Sequence, residues 1–285
     1  MGADDPTTEP RIPTHGWLIF PVLAFIGRKT TAVLDQVGGA TYLLLDALRW
    51  VWRALVAKRV RLGGHAVVSQ TVRVGVRSIF IVSLVSGVVG LILALQLAPP
   101  LDDFGRKDLT ANIIGVAVIR ELGPLMAAIV LTGFAGAAIA AEIGTMVVGE
   151  EIEALEAGAL NPVRFLVVPR LIAAVISMTL LAVIADAVAI FAGLLMGTLV
   201  LGLTFTTYIE NTLAQVQTVD FVTGLVKAAV FGALIGIIAC YNGLKVTGGA
   251  AGVGNATTNT VVQSILAIVI ADLIFTSIFY AVGLA

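Results

Sequence analysis

Five long runs of apolar residues, parted by shorter polar stretches, set the pattern of this chain. The first, SIFIVSLVSGVVGLILALQLA, covers about 78–98, and Pro99 and Pro100 are predicted to end it. The others lie at about 113–141, 171–201, 223–243 and 262–283. Each is long enough to cross a hydrocarbon layer as a helix, which takes about 20 residues. Polar connections follow them in turn: LDDFGRKDLT, the acid-rich stretch from Ala140 to Arg170, LTFTTYIENTLAQVQTVDF, and LKVTGGAAGVGNATTNT, which reads as a glycine-rich loop. The pattern before residue 78 differs. Leu43, Leu44, Ala47, Leu48, Val51 and Leu55 recur at helical spacing, with Trp50 and Trp52 among them and Arg49, Arg53, Lys58, Arg59 and Arg61 on or beside the helix. Such a helix suits the plane of a membrane interface; a soluble helix packed on a partner is the alternative. Residues 1–15 are polar and acidic, without the apolar core of a signal peptide, and read as a disordered tail. The expected organisation is a tail over 1–15, an N-terminal cytoplasmic or interfacial helical region over 16–77, and a domain of five transmembrane helices over 78–285. The fold class is an all-α membrane protein.

Composition strengthens the membrane reading. The chain is 59% apolar and 12% charged, against about 45–50% and 25% in soluble domains. A net charge of −1 gives no electrostatic ground for binding nucleic acid. One cysteine, Cys240, excludes an internal disulfide. Lysine and arginine are uneven between the two sides: Arg49, Arg53, Lys58, Arg59, Arg61, Arg73 and Arg77 precede the first run, Arg164 and Arg170 follow the second, and Lys245 follows the fourth. The opposite side has Arg106 and Lys107, and 204–222 has neither residue type. The positive-inside rule therefore puts the N-terminus in the cytoplasm and, after five crossings, the C-terminus outside. The acid-rich stretch then faces the cytoplasm.

Several chemistries lack their residues. No lysine follows a glycine, so there is no phosphate-binding P-loop. His15 and His65 both precede the first run, which excludes an HExxH metal site and argues against a Ser–His intramembrane hydrolase. No GxSxG elbow occurs. What remains is charge inside the spans: Arg120, Glu121, Lys227 and Asp272, with Asp186 as a further case. Such groups are costly in a bilayer and mark function by default. Two readings stand side by side, a cluster that fixes helix register and a polar lining or coupling element for transport. Three unpaired charges on separate helices would be hard to bear, so Lys227 is expected near at least one of the two acids. Gly193/Gly197 and Gly232/Gly236 form GxxxG patterns that allow close helix approach, within one bundle or between copies.

The acid-rich stretch has a helical pattern of its own. In EEIEALEAGAL, Ile152, Leu155, Ala159 and Leu160 share one side, with Glu150, Glu151, Glu153 and Glu156 largely on others. Asn161-Pro162 is predicted to end this helix. Its apolar ridge could enter a groove on a partner; a solvated acidic loop is the plainer reading.

Three motifs carry a resemblance. RELGP at Arg120–Pro124, AAEIGTMVVGEEIEALEAGALNPVRFLVVPR at 140–170 and GVGNATTNTVV at 252–262 resemble, in order and spacing, the MlaE/YrbE family. Those proteins are permease subunits of bacterial ABC transporters that move lipids between membranes, some working with MCE proteins. The similarity covers roughly residues 30–283. It implies a cytoplasmic coupling helix at about 149–162, where Glu150, Glu151, Ile152, Leu155, Glu156, Leu160 and Pro162 would meet an ATPase. It matches Arg120, Glu121, Lys227 and Asp272 to the family's intramembrane charges. It also implies a homodimer in the bacterial inner membrane with lipid between protomers, and an MCE-domain partner outside. The chain itself would be no enzyme and hold no cofactor or metal, ATP-Mg residing in the partner ATPase. Leu125, Ala128, Ile129, Phe134, Leu266 and Ile270 are the candidates to face lipid. The chain departs from the family in three places: Phe134 in TGFAG stands where arginine is usual, Asn255 and Asn259 replace frequent arginines, and the common acid-glutamine pair reads Glu150-Glu151. A stand-alone proton-coupled secondary transporter and a non-transporting membrane scaffold are the rival readings.

Overall fold

The computed structural model describes residues 19–56 and 64–283. The tail expected at 1–15, and Lys58, Arg59 and Arg61, lie outside the described residues. Helix α1 spans Ile19–Leu55. The chain divides after Tyr42 into two units. The described part of the first is helical, and the hydroxyls of Thr31 and Thr41 bond to the carbonyls of Gly27 and Val37 one turn back. The second unit, from Leu43 on, holds all other elements. Within it the predicted stripe is real. Ala47 is fully buried, and Leu43, Leu44, Trp50 and Val51 pack on the same core. Leu48 and Trp52 face outward, because they lie off that arc of the helix.

Helix α2 (Gly64–Val74) leads through a tight turn at Val76–Ser78 into α3 (Ile79–Asp103). Then α4 (Leu109–Ala117), α5 (Gly123–Leu131) and α6 (Ala137–Val148) follow one another, joined by wide π turns at Val118–Leu122 and Thr132–Gly136. A short α7 (Glu151–Ala157) and a third π turn (Val163–Val167) lead to α8 (Val168–Leu199). Helices α9 (Phe205–Gln215), α10 (Thr218–Leu244) and α11 (Gly249–Val282) complete the chain. No strand occurs among the described residues. Five segments are long and apolar enough to cross a membrane: Gly64–Asp103, Leu109–Val148, Val163–Leu199, Thr218–Leu244 and Gly249–Val282. The all-α, five-span architecture is therefore present.

Among the boundaries that differ from the sequence expectation, two change the reading of a motif. Pro99 and Pro100 do not end the first span; α3 continues to Asp103 with both prolines inside it. Each proline removes a backbone donor, so the carbonyls of Leu95 and Gln96 one turn back lose their helical partners, and the helix runs on for only three residues past Pro100. The fifth helix begins at Gly249, so GVGNATTNT is helical and not a loop. The turn before it is made by Gly248 and Gly249, at φ 84° and 68°, a left-handed conformation open to glycine at little cost. Thr257 and Thr258 satisfy their hydroxyls on the Gly254 carbonyl, which removes the usual competition of such residues with the helix.

Helix α8 is central, packed between α3 and α10. Met178, Leu181, Phe231 and Ile235 are fully or almost fully buried at its contacts, with Leu131 of α5 and Ile143 of α6 beside them. Both GxxxG pairs are used within the chain. A Cβ on Gly232 would lie 2.7 Å from the Ala174 carbonyl oxygen, and Gly193 and Gly197 pack on Tyr208 of α9. Burial pushes the Tyr208 phenol up to about 12. Helix α11 is the exception to this close packing. In its most apolar stretch 6% of residues are buried, against 50% in α8 and α10. One broad face of α11 is thus left bare.

Candidate functional site

The π turn at Val118–Leu122 places Arg120 and Glu121 against α10. Asp220, Gly224 and Lys227 lie on one face of α10, spaced as helical neighbours. Gly224 abuts the Ile119 carbonyl, where a side chain would not fit. This close approach lets two adjacent charges of one helix reach two partners on the other. Arg120 Nη1 lies 3.5 Å from Asp220 Oδ1, and Lys227 Nζ donates to Glu121 Oε2 at 2.6 Å.

Lys227 is fully buried. It also donates to Thr276 Oγ1 at 2.9 Å, and Thr276 donates on to Glu121 Oε1 at 3.0 Å. Asp272, one turn before Thr276 on α11, has Oδ1 3.0 Å from Lys227 Nζ, an ion pair without a well-aligned hydrogen bond. One ammonium thus joins carboxylates from two other helices. Pairing offsets a burial cost that insertion scales put at about 2.5–3.5 kcal/mol per isolated charge. The expectation that Lys227 would lie near an acid is met by both acids. Arg120 instead belongs to a separate pair with Asp220.

Asp220 escaped the sequence reading, because the fourth span was expected to start near residue 223. Its own signal was present: Gln217 and Asp220, three apart at a helix start, form a capping box. The Gln217 backbone N–H donates to Asp220 Oδ2 at 2.9 Å. A further acid, Asp186 of α8, is buried against Gly123, and its Oδ1 has no hydrogen-bond partner among the described residues. A side chain at Gly123 would overlap that carboxyl.

At the opposite end of the spans, α7 occupies the acid-rich stretch. Glu151 and Glu153 stand in its first turn, where the helix dipole favours them. Ile152 and Leu155 are half-buried, Leu160 is 41% exposed, and Glu150 and Glu156 are exposed. The helix ends at Ala157, before the predicted stop at Asn161-Pro162. Left-handed Ala159 (φ 57°), next to the capping Gly158, turns the chain there; Glu150 (φ 59°) does so at the other end. Pro162 instead opens the next turn, where Asn161 Oδ1 accepts the Arg164 N–H at 3.1 Å. The Arg164 guanidinium lies 5.7 Å from the Trp50 ring, and Arg53 lies 5.3 Å from the same ring. These cation–π contacts tie α1 to the entrance of α8.

Glu142 of α6 bridges two arginines that the sequence did not pair. Its Oε2 is 2.7 Å from Arg73 Nη1 and its Oε1 is 3.0 Å from Arg170 Nη2. Among the residues expected to face lipid, Leu266, Ile270 and Phe134 are exposed, and Leu125 and Ile129 are half-buried. Ala128 is not lipid-facing but fully buried. Pro124, Ala127, Ala128 and Leu131 form the inward stripe of α5 at helical spacing, which turns Ala128 to the core. Asn255 and Asn259 are exposed on α11.

Comparison with known proteins identifies the family. Residues 67–278 match the family model of Permease MlaE. A probable ABC transporter permease protein of Rickettsia felis is 38% identical over 257 residues, covering 90% of this chain and 97% of that protein. The intermembrane phospholipid transport system permease protein MlaE of Haemophilus influenzae is 30% identical over 269 residues, covering 93% of this chain and 100% of that protein. The chloroplastic protein TRIGALACTOSYLDIACYLGLYCEROL 1 of Arabidopsis thaliana is 31% identical over 243 residues, covering 81% and 69%. Five apolar spans, a short amphipathic helix between the second and third, and this likeness along nearly the whole length lead to one conclusion: the chain is a multi-pass membrane protein that belongs to the MlaE family of ABC transporter permeases.

Proposed function

We propose that this permease carries phospholipid, or a lipid of similar apolar bulk, between a bacterial inner membrane and an MCE-type partner outside it, driven by a separate cytoplasmic ATPase. Two copies of the chain act together, with lipid held between them, the N-terminus in the cytoplasm and the C-terminus outside. ATP-Mg belongs to the partner; this chain contributes no catalytic residue and no cofactor site. The observation that carries the reading is α7, a short acid-fronted helix at the turn between two spans, with Ile152 and Leu155 on its apolar side and the exposed Leu160 just beyond its end. A mobile ATPase must push on a permease through some such protruding element, and an amphipathic helix in a groove is a common solution. The wide bare face of α11 offers the surface along which a second copy would pack. The phospholipid assignment is supported by the Haemophilus influenzae relative, a permease of an intermembrane phospholipid transport system.

Leu155→Asp tests the docking role: the variant is expected to insert normally and lose recovery of the ATPase in pull-down. Unchanged recovery would sink it. A proton-coupled secondary transporter is the second reading, and the buried Glu121–Lys227–Asp272 cluster favours it. Reconstituted vesicles separate the two. Transfer of a fluorescent phospholipid that requires ATP and the ATPase supports the first; transfer driven by a proton gradient alone supports the second.

A further inference from the structure

A cleft of about 350 Å³ opens beside α2 and the stretch from the second π turn into α6. Arg73 and Arg77 form its polar end with Glu142, and Phe134, Ala138 and Ile139 form its apolar wall. We propose that this cleft binds the phosphate headgroup and glycerol of a phospholipid drawn from the leaflet on the Arg73 side. The proposal rests on the lipid-transport reading for its class of ligand and adds the place where one leaflet presents that ligand.

Charge comes first. Glu142 is already shared between Arg73 and Arg170, at 2.7 and 3.0 Å. Arg77 is exposed and has no carboxylate in ion-pair range among the described residues. Two guanidinium groups thus share one carboxylate, and Arg77 lines the same cleft outside its reach, which leaves a surplus suited to an anion. Guanidinium matches phosphate oxygens in a two-pronged fashion. Position comes second. Arg77 directly precedes Ser78 and the apolar run of α3, so its head lies where the chain passes from polar to apolar. A long basic side chain at such a boundary reaches toward the headgroup layer. Shape comes third. The cleft is at the small end of ligand sites, which run to about 300–1,000 Å³, so acyl chains must leave it for the bilayer. The half-exposed Phe134 ring lines the way out. Free phosphate would need the arginines but no such apolar wall, and the wall selects the lipid.

The test uses the full chain in nanodiscs with a phosphatidylglycerol that carries a photoreactive diazirine near the glycerol end of one acyl chain. Mass spectrometry of peptides is expected to map labelling to residues 134–139. Arg77→Ala, which leaves the Arg73–Glu142 bridge in place, should reduce that labelling about tenfold, as loss of a charged hydrogen-bond donor implies. Arg77→Lys, which keeps the charge and loses the two-pronged donor, should fall between the parent and Arg77→Ala. Ala138→Trp, with both arginines present, should also abolish it by filling the apolar wall. A matched photoreactive diacylglycerol without phosphate should label no better than the Arg77→Ala background. Equal labelling by the diacylglycerol, or full labelling of Arg77→Ala, would overturn the site. Displacement by inorganic phosphate would equally overturn it in favour of a free anion. ATP-driven lipid transfer is measured on the same samples. Absence of cleft labelling in the unsubstituted chain with transfer intact removes this proposal alone, whereas labelling of that chain without any transfer supports the cleft and removes the transport reading.

Discussion

Lys227 Nζ stands 2.6 Å from Glu121 Oε2, joining helices 106 residues apart in the chain, and no part of the lysine side chain is exposed. The bond holds α10 against the π turn of the second span. Thr276 closes it into a ring with α11, the helix that is otherwise least covered. A register device and a gate would both use this arrangement, because each needs charges that are costly to separate.

Lys227→Ala leaves two carboxylates in the span without their cation. Breaking a buried pair from one side costs about 3–5 kcal/mol, so the purified variant should melt well below the parent and give less protein. The double variant Glu121→Gln/Lys227→Gln should lose less than the sum of its single changes, by roughly 0.5–3 kcal/mol. Simple additivity in melting experiments would mean that the two side chains do not act as a pair.

Asp220 has two tasks, accepting the Gln217 N–H at the start of α10 and facing Arg120. Asp220→Asn keeps an acceptor and loses the charge; Asp220→Ala loses both. The alanine variant should therefore be the less stable, by about 1 kcal/mol, the usual worth of a helix cap. Identical melting of the two would remove the cap from the account.

Ala159 sits at φ 57° just after α7. A side chain in that conformation costs about 1–2 kcal/mol, which glycine avoids. Ala159→Gly should slow limited proteolysis within 149–162 without moving α7. Faster cleavage would show that the added backbone freedom outweighs the relieved strain.

Cys240 is buried and is the chain's single cysteine, so introduced cysteines report cleanly. Leu273 is 67% exposed on α11 and Leu180 is 57% exposed on α8. If two copies meet along α11, Leu273→Cys should yield an oxidised dimer in membranes and Leu180→Cys should not. Equal yields from both positions would count against an interface on α11.

Much of this protein was already legible in one dimension. The five spans follow from run length and hydropathy, because a bilayer selects on those two properties and little else. The intramembrane charges were also visible, since an ionisable residue in an apolar run needs no neighbour to be noticed. The α7 ridge of Ile152 and Leu155 could be read from its period. Pairing could not be read. That Lys227 meets both Glu121 and Asp272, that Arg120 goes instead to Asp220, and that Glu142 gathers Arg73 and Arg170 all depend on which helix faces meet. A π turn shifts the facing by inserting one residue into the helical ladder, and no residue type announces it. Ala128 shows the same limit: its apolar character fits lipid and core alike, and packing of α5 turned it inward. Hydropathy is a property of each residue and accumulates along the chain, so sequence determined how many helices cross. Contact is a property of pairs, decided by where glycines such as Gly224 let two backbones approach, and so tertiary structure alone determined which charges those crossings bring together.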